Sequence, residues 1–170
     1  MKNFIICAML FCGMTLFTGS LSAQKFGYLN SQALLAELPE VQQARTNLET
    51  FQKQLQKRGE GMLVDLQNKY KAVQQRVERG ELSPKEQETE VAKIKAQESE
   101  IGKFEQDMIR QIQEKEATLL QPILDRVNTA IKNVAEENGY QFIFDAGTQV
   151  LLFADESTDV SSMVRSKLGI

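Results

Sequence analysis

From Pro39 onward the apolar residues fall every third or fourth position: Val41, Ala44, Leu48, Phe51, Leu55 and Met62, with Arg58 in one expected slot. That period predicts a helix carrying one narrow apolar stripe. The stripe drifts through Leu66, Tyr70, Val73 and Val77, a stutter-like spacing that locally relaxes a supercoil. A second stripe follows at Val91, Ile94, Ile101, Phe104, Met108, Ile112 and Leu119. Between them lies Gly80-Glu81-Leu82-Ser83. Gly80 can take the left-handed conformation that ends a helix, Ser83 can cap the next, Pro84 fits its first position, and Glu86 can close a capping box. Two such stripes joined by a tight turn predict an antiparallel coiled-coil hairpin over residues 39–121, turning at 80–83. Each arm would reach about 60 Å at ~1.5 Å per residue.

The ends of the chain change period. Residues 24–38 and 122–170 predict a small body with strands at about 26–30, 140–145 and 150–154. Ser31 is expected to cap a short helix through Leu38. Pro122 is placed to kink the second arm as it enters the body. Ile123 to Glu137 is amphipathic, and Asn138-Gly139 is a stop signal. A loop centred on Gly147 should join the last two strands, and Asp159 should cap a final helix, Val160–Leu168. In strand alternation Tyr140, Phe142 and Phe144 point one way and Ile143 the other; Val150 and Leu152 oppose Leu151 and Phe153. A sheet apolar on both faces must be covered on both, and so small a body cannot cover both itself. A homo-oligomer packed through its sheets is the expected solution, with Tyr28, Tyr140, Phe142, Phe144 and Leu152 as candidate contacts. The fold class is α+β, mostly helical: a long hairpin projecting from a small β-containing assembly body.

Residues 1–23 read as a secretory signal peptide: Lys2, an apolar run from Phe4 to Phe17, then small residues before Gln24. Cleavage is expected after Ala23, with Ser22 the alternative. The competing reading, a transmembrane anchor, needs roughly 20 apolar residues and the run is shorter. Neither cysteine follows the small residue that a lipid-modification site requires.

Chemistry is sparse. Both cysteines, Cys7 and Cys12, lie in the leader, and the chain has no histidine. The common bases, thiol nucleophiles and zinc ligands are therefore missing beyond residue 23, and no phosphate-cradling glycine loop occurs. No catalytic, cofactor-binding or metal residues are assigned, and the chain is not read as an enzyme. Without Lys2 it carries 19 basic and 23 acidic residues, net −4, which argues against a nucleic-acid binder. The first arm, Glu40–Arg79, has 8 basic and 5 acidic residues; the second, Glu81–Gln121, has 6 and 10. Opposite net signs favour the arms lying together, although exposed pairs contribute only about 0–1 kcal/mol each and most of these charges solvate the helices.

Two features of the arms stay open. Gly59 and Gly61 mark either a flexible elbow or a local kink or close helix contact. Leu63, Val64, Ile109 and Leu120 sit off the stripes; they either present apolar spots to a binding partner or flank the seam under a neighbouring arm or subunit.

The segments Phe26-Gly27-Tyr28-Leu29-Asn30, Pro122-Ile123 through Val127, Ala130-Ile131, Val134-Ala135, Asn138-Gly139-Tyr140 and Phe142-Ile143-Phe144-Asp145 resemble the Skp/OmpH family of periplasmic chaperones. The resemblance implies a homotrimer whose three hairpins surround a cavity. There unfolded outer-membrane proteins would be held without ATP in the periplasm. Familiar members are strongly basic, whereas Arg76, Arg79 and Lys85 near this tip are balanced by Glu78, Glu81 and Glu86. A lipopolysaccharide or membrane-surface site is therefore not carried over. The reading from another class is a structural or adaptor coiled coil of the cell envelope. Efflux adaptors set their hairpin between lipoyl-like and β-barrel halves, for which this chain is too short.

Overall fold

The computed structural model describes residues 24–148 and 150–170, so the segment expected to be a signal peptide, residues 1–23, lies outside the described residues. Its elements run β1 (Phe26–Leu29), α1 (Ser31–Glu37), α2 (Pro39–Glu78), α3 (Pro84–Asn138), β2 (Phe142–Asp145) and α4 (Ser161–Leu168). Short 3-10 turns occupy Ala146–Thr148 and Glu156–Thr158. No helix among the described residues is long and apolar enough to cross a membrane.

The hairpin forms as its caps dictate. Gly80 has φ 68°, and the Ser83 side chain accepts from the Glu86 N–H at 3.4 Å. The Glu86 carboxylate returns the contact, accepting from the Ser83 N–H at 2.8 Å and its hydroxyl at 2.6 Å. These bonds hold the Glu86 carboxyl below its ordinary value. Leu82 is buried at the tip. Along the arms Leu55, Ile94, Ile101 and Phe104 form the best-buried part of the seam. Opposite net charges contribute less than expected. Among the described residues only Arg126–Glu40, at 2.7 Å near the root, pairs charges across the two helices; the other arm ion pairs lie within a helix or at the turn.

α3 is continuous through Pro122 for 55 residues, so one helix serves both arm and body. The body core is Leu29, Leu34, Leu38, Val41, Val127, Ala130, Val134, Val160 and Val164. It joins β1, α1, the roots of both long helices and α4. The carbonyl of Tyr28 accepts from the Val160 N–H at 2.9 Å, tying α4 to β1.

Four expectations need correction. The strand expected at 150–154 does not form within the single chain: the sheet has two parallel strands, in the register Phe26↔Phe142 and Tyr28↔Phe144. The segment pairs with neither strand and lies away from the packed core, so nothing within the chain holds it extended; Leu152 and Phe153 stand 95% and 85% exposed. Tyr140 precedes β2 and packs against the core with Ile143, apart from Phe142 and Phe144, because alternation begins only at Phe142. Asn30, one residue before Ser31, caps α1 by accepting from the Ala33 N–H at 2.9 Å. Val160, not Asp159, is the cap of α4; Asp159 accepts from the Ser161 N–H at 2.7 Å just upstream.

Candidate functional site

Two surfaces carry the features that the sequence singled out. The first is the outward face of the sheet. A parallel register places Phe26 beside Phe142 and Tyr28 beside Phe144, all on one face, since strand side chains alternate. The Phe26, Phe142 and Phe144 rings lie 5.9–6.3 Å apart, centre to centre. They cover one another only in part; Phe142 remains 56% exposed. The opposite face, with Leu29 and Ile143, meets the core. Of the five candidate assembly residues, Tyr28, Phe142 and Phe144 share this face, Leu152 projects from the segment after β2, and Tyr140 is turned inward.

Tyr140 has a different task. The ammonium of Lys25 sits 4.2 Å from its ring centre and donates to the Asn138 carbonyl at 3.1 Å. Gly27 lies directly beneath the same ring. A Cβ there would come within 2.8 Å of Val160 and 3.2 Å of Tyr140. The glycine of the Phe-Gly-Tyr-Leu motif is thus a packing requirement.

Asp145 ends β2 and also ties that strand to the start of α1. Its carboxylate accepts from the Ser31 N–H at 3.1 Å, from the Ser31 hydroxyl, and from the Gly147 N–H at 2.9 Å. Burial pushes this carboxyl up, but the three donors together hold it below its ordinary value. Only the contact order, 114 residues between Asp145 and Ser31, hid it from sequence reading.

The second surface is the hairpin. Tyr70 Oη donates to Glu98 at 2.8 Å, which fixes one flat side of the paired helices. Arg58 over the Phe104 ring, 5.2 Å from its centre, fixes the other. Residues seven apart keep the same side of a coiled coil. Leu63 therefore shares the Tyr70 side, Val91 shares the Glu98 side, and Ile109 lies with Glu116. Glu116 and Leu120 line a cavity of about 230 Å³ at the arm root together with Arg45 and Leu48. Leu63, Ile109 and Leu120 thus fall on one side, while Val64 points away at the back of α2. Leu63, Val64 and Ile109 are 52%, 53% and 58% exposed. Met62, Asp65, Lys69, Lys93 and Glu100 line a charged concavity on the other side. Gly59 lies 3.3 Å from the Phe104 ring by its notional Cβ, whereas Gly61 faces open space.

Comparison with known proteins agrees with this architecture. Residues 25–168 match the family model described as Outer membrane protein (OmpH-like). A curated protein of Yersinia enterocolitica, Chaperone protein Skp, is 30% identical over 157 residues, covering 86% of this chain and 87% of its own. A Caulobacter crescentus CB15 crystal structure, described as an OmpH-like candidate outer membrane chaperone, superimposes with a TM-score of 0.72 at 16% identity, covering 86% of this chain and 85% of that one. At that identity it speaks to the fold, a long helical hairpin on a small body. Family membership follows from the model match across nearly all of the described chain: this protein belongs to the OmpH-like outer membrane protein family.

Proposed function

We propose that this protein is an ATP-independent holdase chaperone of the periplasm, exported by residues 1–23, that binds unfolded outer-membrane proteins between the arms of a homotrimer. The observation that carries the reading is the hairpin itself: two long helices, tied to a folded body at one end only, with large apolar side chains such as Leu63 and Ile109 left in water. Exposed apolar surface of this kind marks an interaction site. The naming of the Yersinia relative as a chaperone points the same way.

A holdase without fuel must bind firmly and still release. Linked weak contacts do both, because avidity multiplies while each contact exchanges quickly. Nanomolar retention is about 12 kcal/mol in total, which dozens of contacts can share at a few tenths each. A held chain cannot pair its strands with another chain. Release follows when the client folds into the bilayer, its state of lower free energy.

The test is aggregation of an outer-membrane barrel diluted from urea, followed by light scattering with no nucleotide present. Suppression near stoichiometric protein is expected. Undiminished aggregation at several-fold excess overturns the reading.

A further inference from the structure

We infer that the Tyr70–Glu98 side of the hairpin is the client-contacting face, and that it selects extended segments alternating apolar with basic residues. The inference rests on the holdase reading and names the surface and the client chemistry that go with it.

The two sides of the hairpin differ in kind. Leu63, Tyr70, Val77, Val91 and Ile109 are the large apolar side chains that the arms leave substantially exposed close to the seam, and helical spacing puts all five on one side. That side runs on into the root cavity through Leu120. The opposite side carries Arg58, Asp65, Lys69, Lys93 and Glu100 in mixed sign. A client that must be gripped by apolar contact finds them on only one side.

The charges on the apolar side are mostly acidic. Glu98, Glu105 and Glu116 follow one another at intervals of seven and eleven residues, and Arg45, which lines the root cavity with Glu116, is the basic exception. Glu98 is engaged by a neutral hydroxyl, and no ion pair among the described residues uses Glu105 or Glu116. This decides the occupant. A second copy laid face to face would set these glutamates against themselves, and like charges in a drying contact are unfavourable. An unfolded segment with basic side chains between its apolar ones satisfies both features. From Val91 to Leu120 the face is about 40 Å long, the span of about 13 residues in extended conformation.

The test uses two fluorescent 13-residue peptides, one alternating Val with Lys and one alternating Val with Glu, titrated by anisotropy into the purified protein at low and high salt. The Lys peptide is expected to bind at least about tenfold tighter, with the gap narrowing at high salt. L63S/I109S should weaken it about tenfold, while V64S, equally exposed but on the back, should not. E98K/E105K should reverse the preference, and circular dichroism checks that each variant keeps its helix. Equal binding of the two peptides, no binding of either, or a V64S loss matching that of L63S/I109S overturns the assignment. A fall in assembly mass of L63S/I109S also overturns it, since the face would then join copies of the chain. Barrel aggregation is measured alongside: suppression that persists without peptide preference sinks this face alone, whereas absent suppression sinks the holdase reading itself.

Discussion

A methyl group at residue 27 has nowhere to go. A Cβ there would lie 2.8 Å from a Val160 methyl and 3.2 Å from the Tyr140 ring, and both belong to the packed body. Overpacking of this kind costs about 1–3 kcal/mol. Gly61 is the opposite case: inside α2, with nothing within 4 Å of its notional Cβ. Alanine there should stabilise the helix by up to about 1 kcal/mol. Urea unfolding of G27A and G61A should therefore shift in opposite directions. A neutral G27A would mean that Val160 and Tyr140 yield without cost. The glycines were equally visible in the sequence, but their roles were not. A helix-breaking residue announces itself by type; what presses on it is set by α4 and Tyr140, more than a hundred residues away in the case of Gly27.

At the scale of elements, what is local was legible and what is closed by a distant partner was not. The Ser83–Glu86 box and the left-handed Gly80 and Gly139 involve neighbours within a few residues, so residue type and spacing suffice. At Asn30-Ser31 two good caps stand side by side. The choice falls to Asn30 because Asp145 engages Ser31, joining the end of β2 to the start of α1. This junction gives the body a pH dependence. The native carboxyl titrates below the ordinary 3.8, so the folded chain binds fewer protons than the unfolded chain across that interval. Its contribution is complete above about pH 4 and is lost as pH falls through the native value. D145N should lose about 1–2 kcal/mol at neutral pH and should unfold with a shallower acid dependence between pH 5 and 2 than the parent. Parallel curves for the two proteins would show that Asp145 is not a source of acid lability.

The whole molecule poses a problem that one chain does not solve. Phe26, Phe142 and Phe144 form a ring-to-ring cluster facing water, and Leu152 and Phe153 in the segment after β2 lie almost wholly exposed. The two-faced sheet read from the sequence survives as one covered and one uncovered face. The third strand expected at 150–154 is absent from the single chain because a continuous apolar run signals a need for cover, not whether its own chain supplies it. The same segment can pair once another copy presents a strand edge. On the proposed homotrimer, the aromatic face and the segment after β2 become buried and the arms stay free. F142S/F144S removes two rings from that face and none from the body core. Light scattering should then give three times the chain mass for the parent and a single chain for the variant, with the helical signal retained. Capacity to hold an unfolded barrel should fall with it, because separated arms lose the avidity of three joined ones. A variant that keeps the threefold mass would put the assembly surface elsewhere, and a parent at single-chain mass would leave each hairpin to act alone.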